Sequence, residues 1–202
     1  MRLQLRRDTL EAATGVFAER GFHGTSMADI ARAVGTGNSA IYSQFVGKQQ
    51  LFDAVVDEAL QRLASRLSPA PTPAASTPEE LRSELYAIAD RAADAFAEDR
   101  ATLRLVSALL LEPTSGTGQG GDRAGQVLAV AAAITGTYLG GAADKGLLRS
   151  GTDVDALAGV VNAMLIGVMV QITVAGASKE DTRKMARAAV ELYVEGALLP
   201  PS

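Results

Sequence analysis

Glycine decides where this chain can be continuous. Gly21 and the triplet Gly35-Thr36-Gly37 cut the first fifty residues into short pieces, each with apolar residues at helical rather than strand spacing. Leu10, Ala13, Phe17 and Ala18 share one face of the first piece. Gly21 then supplies the left-handed position that stops a helix, with Phe22 placed to pack back. Thr25 or Ser26 can cap the next helix. Ser26 with Asp29 has the form of a capping box, and Ile30 and Val34 give a buried stripe one turn apart. Residues 38–45 read as a third short helix and 48–67 as a fourth.

Beyond these, the proline-rich stretch 68–76 cannot continue a helix. Thr77-Pro78-Glu79-Glu80 restarts one, with Thr77 as N-cap, Pro78 in the first turn and Glu80 closing the cap. That helix is predicted to end near 98, and another to cover 100–111. Residues 112–121 contain Pro113 and four glycines and read as a flexible loop. Asp122 can cap a helix reaching 145, Asp153 one reaching 175, and Ser178 with Asp181 a last one ending near 197. No alternating β-branched run of strand length occurs, so the expected fold class is all-α, with about nine helices.

Composition removes most chemistry. The 202 residues include no cysteine and one histidine, His23, which excludes disulfides, thiolate catalysis, cysteine metal sites and any two-histidine site. A Ser/His/Asp set cannot be built around one histidine in a turn. The acidic pairs Glu79-Glu80 and Glu98-Asp99 stand where helix starts favour negative charge. Gly35-x-Gly37-x-x-Ala40 resembles a dinucleotide fingerprint but follows a helix instead of the required strand, and the glycines at 116–121 lack a phosphate-loop ending. The chain therefore reads as no enzyme, with no cofactor and no metal.

Charge is uneven. The net charge is −4, yet residues 1–52 carry six cations against four anions, a net of +2, which leaves −6 for the rest. A basic head on an acidic body fits a chain whose first fifty residues meet an anion. The start of the chain has no uninterrupted apolar run of the secretory kind, so the expectation is cytoplasmic. Residues 124–143 and 156–178 are uncharged and long enough to span a bilayer. Both are diluted by glycine, threonine, Gln126, Asn162 and Gln171, so no membrane partner is expected, and a core plus a subunit interface explains them better.

Three short helices within fifty residues satisfy a helix-turn-helix, whose last helix lies in the major groove. On a helical wheel for 38–45, Ile41 and Phe45 face inward toward Phe17, Ile30 and Val34. Ser39 and Ser43 point the opposite way, flanked by Ala40 and Tyr42. Such a face can approach base edges closely, with hydroxyls to donate or accept and a methyl for thymine; Asn38 can pair with adenine. Lys48, opening the fourth helix, can meet a phosphate.

Gly21-Phe22-His23-Gly24-Thr25-Ser26-Met27-Ala28-Asp29-Ile30-Ala31, then Val34-Gly35-Thr36-Gly37-Asn38-Ser39-Ala40-Ile41-Tyr42-Ser43-Gln44-Phe45, then Lys48 and Leu51-Phe52, resembles the DNA-binding head of the tetracycline-repressor (TetR) family. The resemblance covers about fifty residues in the right order and spacing; the remainder agrees in length and helical character alone. It implies a homodimeric regulator, usually a repressor, on a double-stranded DNA operator. Residues 1–50 would bind DNA, and 51–202 would dimerise and bind a small effector.

By that resemblance Thr25 or Ser26 would hold phosphate, and Thr36, Asn38, Ser39, Ala40 and Ser43 would lie in or beside the groove. Tyr42 and Lys48 would clamp backbone phosphates. Gly37 in place of a serine cap, Asn38 in place of lysine and Gln49 in place of glutamate depart from the pattern and bear on the operator.

In the body, Tyr86, Phe96, Leu103, Val106, Leu109, Ile134 and Tyr138 are candidates to line a pocket, equally explained as plain core; with few aromatics and no charge cluster nearby, an apolar effector is expected. Val160, Ala163, Gly167, Val170 and Val174, with Met185, Ala189 and Leu192 from the last helix, form a second apolar face suited to a four-helix dimer interface. A constitutive DNA-binding protein without effector and a helical scaffold or membrane-associated protein are the alternatives.

Overall fold

A computed structural model describes residues 2–67, 72–111 and 120–197 of the chain. Within them are nine helices and no extended strand: α1 (Arg2–Arg20), α2 (Met27–Val34), α3 (Asn38–Tyr42), α4 (Lys48–Leu67), α5 (Pro78–Glu98), α6 (Arg100–Leu111), α7 (Gly120–Asp144), α8 (Val154–Ala175) and α9 (Lys179–Ala197). The stretches expected as a proline-rich connector and a glycine-rich loop lie partly outside the described residues (68–71 and 112–119), as does the Asp122 side chain expected as a cap.

The helix boundaries follow from the punctuation. Ser26 Oγ accepts from the Asp29 N–H at 3.1 Å, and the Asp29 carboxylate accepts from the Ser26 N–H at 3.0 Å, so the capping box is closed in both directions. Gly35 ends α2 at φ 74°, a left-handed conformation that a side chain would strain. Gly37 caps α3 without a side-chain bond, and α3 is shorter than its expected range, ending at Tyr42. Thr77, Asp153 and Ser178 cap α5, α8 and α9 through their side-chain oxygens.

The chain divides into two compact units. The first holds α1–α3, α4 as far as Leu63, and α6; the second holds α5 and α7–α9. The expected boundary after residue 50 falls inside the continuous helix α4. No single cut reproduces the division, because α6 returns to pack on α1 and buries Leu103, Val106 and Leu109 in the first unit.

In the second unit α5 lies along α9, tied at the surface by Arg187 donating twice to Asp90 (2.9 and 2.6 Å) and by Arg183 donating to Asp94 (2.7 Å). The segment before α5 is fastened to the end of α7. Lys145 Nζ donates to the carbonyls of Pro73 (2.8 Å) and Ala75 (3.0 Å), and a side chain at Gly141 would come within 3.0 Å of Thr72 Cγ2. Two segments, Arg123–Asp144 and Val154–Ala175, are long and apolar enough to cross a membrane by length and composition.

Candidate nucleic-acid interface

The small core of the first unit fixes how α3 is presented. Ile41 is 0 % and Phe45 1 % exposed, beside Ile30 and a cluster in which Phe52 meets Phe17 and Phe22 edge-on, each at 5.0 Å between ring centres. Arg6 of α1 stacks over the outer side of Phe45 at 4.6 Å. With Ile41 and Phe45 inward, Asn38, Ser39, Tyr42 and Ser43 stand at the surface, and Thr36 and Ala40 are half-buried. Asn38, Ser39 and Tyr42 have no side-chain partner among the described residues, and Tyr42 is 53 % exposed. Ser43 Oγ donates to the Ala40 carbonyl at 2.8 Å, which leaves its lone pairs outward. Val46, after α3, is almost fully exposed.

Two of the residues expected at phosphate, Thr25 and Lys48, are engaged within the head in this geometry. Thr25 is buried, and its hydroxyl donates to the Gly21 carbonyl at 2.8 Å, closing the α1–α2 turn from inside. Lys48 does not extend into solvent: its ammonium donates to the carbonyls of Phe22 (2.7 Å) and Thr25 (2.8 Å) and sits 4.4 Å from the centre of the Phe22 ring. Buried carbonyls at the end of that turn need donors, and an ammonium one helix away supplies two. Lys48 is therefore a strut between α4 and the α1–α2 turn.

Ser26 is at the surface, but its hydroxyl and N–H are both engaged with Asp29. The Ser26 hydrogen bonds, with help from Arg32 and Arg20, hold the Asp29 carboxyl below the usual carboxylate range, so it is charged near neutrality. That anion already occupies the N-terminus of α2; the cations beside it are Arg20 (3.4 Å) and Arg32 (3.1 Å). His23 is exposed and meets only the edge of the Phe22 ring.

The second unit encloses a cavity of about 190 Å³ between α5, α7, α8 and α9. Ile88 and Ala92, Ile134 and Tyr138, Val161 and Val168, and Ala186 and Tyr193 lie on its wall. Of the expected pocket residues, Ile134 and Tyr138 are there. Leu103, Val106 and Leu109 are core of the first unit instead, because α6 packs on α1. Phe96 is buried off the cavity wall, and Tyr86 stands partly exposed against Arg187.

Sequence reasoning overlooked two polar groups on the wall. Asn162 accepts from Thr135 Oγ1 at 2.8 Å, and Tyr193 has a buried hydroxyl with no partner among the described residues. Burial pushes the Tyr193 phenol up to about 12, so it keeps its proton. The available signal was Asn162, one of two side-chain amides, with Gln171, in the uncharged run 156–175 of α8.

Val160 (53 %), Val174 (74 %) and Leu192 (63 %) are exposed on α8 and α9, with Ala163 and Gly167 exposed among them. Val170 and Met185 are half-buried, and Ala189 turns to the cavity wall instead.

Residues 10–55 match the profile of the bacterial regulatory proteins of the tetR family. The HTH-type transcriptional regulator YhgD of Bacillus subtilis is 30 % identical over 88 residues, 44 % of this chain and 46 % of YhgD. Over residues 10–55 the chain is similar to the TetR family. Its matches span less than half the length of the curated relatives concerned. Solved structures extend the likeness in fold to nearly the whole chain. SmeT, the repressor of a multidrug efflux pump of Stenotrophomonas maltophilia, superposes with a TM-score of 0.76 at 21 % identity, covering 96 % of this chain and 90 % of SmeT. FadR of Bacillus subtilis, solved with stearoyl-CoA, gives 0.74 at 18 % identity, covering 94 % and 98 %. The TetR match begins at Leu10 and ends at Val55, so it contains α2, α3 and the Lys48 strut, whereas the cavity lies wholly outside it.

Proposed function

We propose that this chain is a TetR-family, ligand-responsive transcriptional repressor that binds a palindromic duplex operator as a homodimer in the cytoplasm. The observation that carries the reading is the outer face of α3. Asn38, Ser39, Tyr42 and Ser43 are exposed over a buried Ile41 and Phe45, three of them without partners of their own. A small polar face held by a rigid apolar one suits insertion into a major groove, where amide and hydroxyl groups read base edges and a phenol reaches the backbone.

Dimerisation is supported by the exposed Val160, Val174 and Leu192 around the small residues Ala163 and Gly167, a surface that two copies can cover for each other. It gives the apolar length of α8 a use within protein rather than lipid. The effector would occupy the cavity of the second unit. SmeT has been solved with triclosan and FadR with stearoyl-CoA, so other chains of this fold hold molecules with large apolar parts. An effector preferring a dimer with a different head separation lowers operator affinity in proportion to that preference.

Selection of bound duplexes from random DNA tests the reading. The expected result is two inverted half-sites about 10–10.5 base pairs apart, or a multiple, bound with a steep salt dependence. An asymmetric single site overturns the dimer, and no enrichment overturns DNA recognition by α3.

A further inference from the structure

The cavity in the second unit is more selective than its apolar wall first implies. Among the described residues no charged side chain lines it. Glu84 reaches that wall through the Tyr138 hydroxyl, which donates to it at 2.8 Å, and its other oxygen accepts from the Ala75 N–H at 2.7 Å. Arg91, close enough to act electrostatically on Tyr138, is exposed and off the wall. A charged ligand group inside would therefore lose its hydration without gaining a counter-ion.

The wall is not purely apolar, however. Asn162, 8 % exposed, uses its amide oxygen to accept from Thr135, which leaves its amide nitrogen without a partner among the described residues. Tyr193, also 8 % exposed, has a buried hydroxyl without one. The Tyr193 hydroxyl, a buried donor left open, costs free energy that an acceptor can recover, and the Asn162 amide nitrogen on the same wall offers that acceptor a second donor.

We propose that the cavity takes a small neutral molecule, apolar along its body and carrying an uncharged acceptor oxygen of the ketone, ester or phenol kind, recognised by the Asn162 amide and the Tyr193 hydroxyl. The inference rests on reading the second unit as the effector-binding part. It excludes free fatty acids, acyl-CoA thioesters and ammonium compounds. The first two bring anions to a wall without a cation, and the third a cation to a wall whose one nearby carboxylate is already doubly bonded.

Four probes of matched shape decide it on the full chain: 2-octanone, its hydrocarbon isostere 2-methyl-1-octene, octanoate and octylammonium. Titration calorimetry and the shift in unfolding midpoint are the readouts. 2-Octanone should bind about tenfold more tightly than each of the others, the discrimination expected when one buried hydrogen bond is made or missed. Asn162→Leu and Tyr193→Phe should lower ketone affinity toward that of the hydrocarbon and leave the hydrocarbon's own affinity unchanged. Tyr193→Phe removes a hydroxyl without a partner among the described residues, so it keeps the test sound even if Asn162→Leu fails to fold. Octanoate or octylammonium binding as tightly as the ketone, equal binding of ketone and hydrocarbon, or binding by none of the four overturns the proposal. Release of a selected duplex is read separately. A ketone that binds with the stated selectivity but releases no DNA supports the cavity's chemistry and removes the ligand-responsive reading instead.

Discussion

The head and the cavity-bearing unit are both helical, but different physics holds each. The head presents two short helices, α2 and α3, whose ends are set by Ser26, Asp29, Gly35 and Gly37, and its interior is a few large side chains locked around Phe17 and Phe45. The second unit is built from long helices rich in alanine, valine and glycine that leave a space between them. A surface that must meet DNA in one geometry gains from rigid anchors. A volume that must admit a guest gains from small side chains and missing contacts. Substitutions should accordingly act on one function at a time.

Phe45→Ala should have the largest effect. Removing a fully buried ring costs about 3–5 kcal/mol, and it also removes the support beneath α3 and the platform under Arg6. Thermal unfolding should show the loss, and binding to every operator should fall together. Ketone binding, measured where the chain remains folded, should be unchanged; a parallel fall would show that the two units are energetically one.

Lys48→Ala comes next and separates two readings of one residue. If Lys48 is the strut that the two carbonyls and the Phe22 ring indicate, its loss destabilises the head by about 1–3 kcal/mol. The salt slope of DNA binding should then stay as it is. A phosphate clamp would instead lower that slope by about one and leave stability alone.

The same pair of regions shows what a sequence displays. Ser26 with Asp29, Gly35, Asp153 and Ser178 were legible because a cap and its helix are neighbours along the chain. Lys48 was not, because its acceptors are backbone carbonyls 26 and 23 residues away, and a carbonyl leaves no mark on residue type. Of the two caps the sequence left open for α2, Ser26 takes the position, while the Thr25 hydroxyl turns back to Gly21, a choice residue type alone does not mark. On α6, Leu103, Val106 and Leu109 announced a buried face without saying which unit would bury it. Asn162 was hidden among apolar neighbours on α8, and Tyr193 on the apolar stripe of the otherwise charged α9, where periodicity cannot distinguish a core from a cavity wall.

Smaller effects should divide the α3 face itself. Tyr42→Phe removes a hydroxyl with no partner among the described residues, so it should leave stability unchanged and weaken all operators alike. Asn38→Ala or Ser39→Ala should change which base is preferred at one position, by about 1–3 kcal/mol against the former best site. Repeating the random-duplex selection on each variant checks this. Uniform weakening by Asn38→Ala would move Asn38 from base reading to backbone positioning.

Asp29→Asn should have the smallest effect, visible only in the acid range. The Ser26 hydrogen bonds, then Arg32 and Arg20, lower the Asp29 pKa from its model-peptide value of 3.8 in the folded head. A group depressed in the folded state contributes stability that is fully present above its unfolded value and is lost as the pH falls through its folded one. The wild-type unfolding midpoint should therefore decline more steeply than that of Asp29→Asn as the pH drops from about 5 through and below the ordinary carboxylate range. Near neutrality the variant should sit slightly lower, because the amide caps Ser26 without a charge for the α2 N-terminus. The cavity wall has no comparable group: among the described residues nothing on it titrates below the tyrosines. Ketone binding should then be flat across the same acid range while the head weakens. Acid loss of both together would mean that the carboxylate's influence is not confined to the head, and the separation between rigid reader and adaptable container would fail at its most sensitive point.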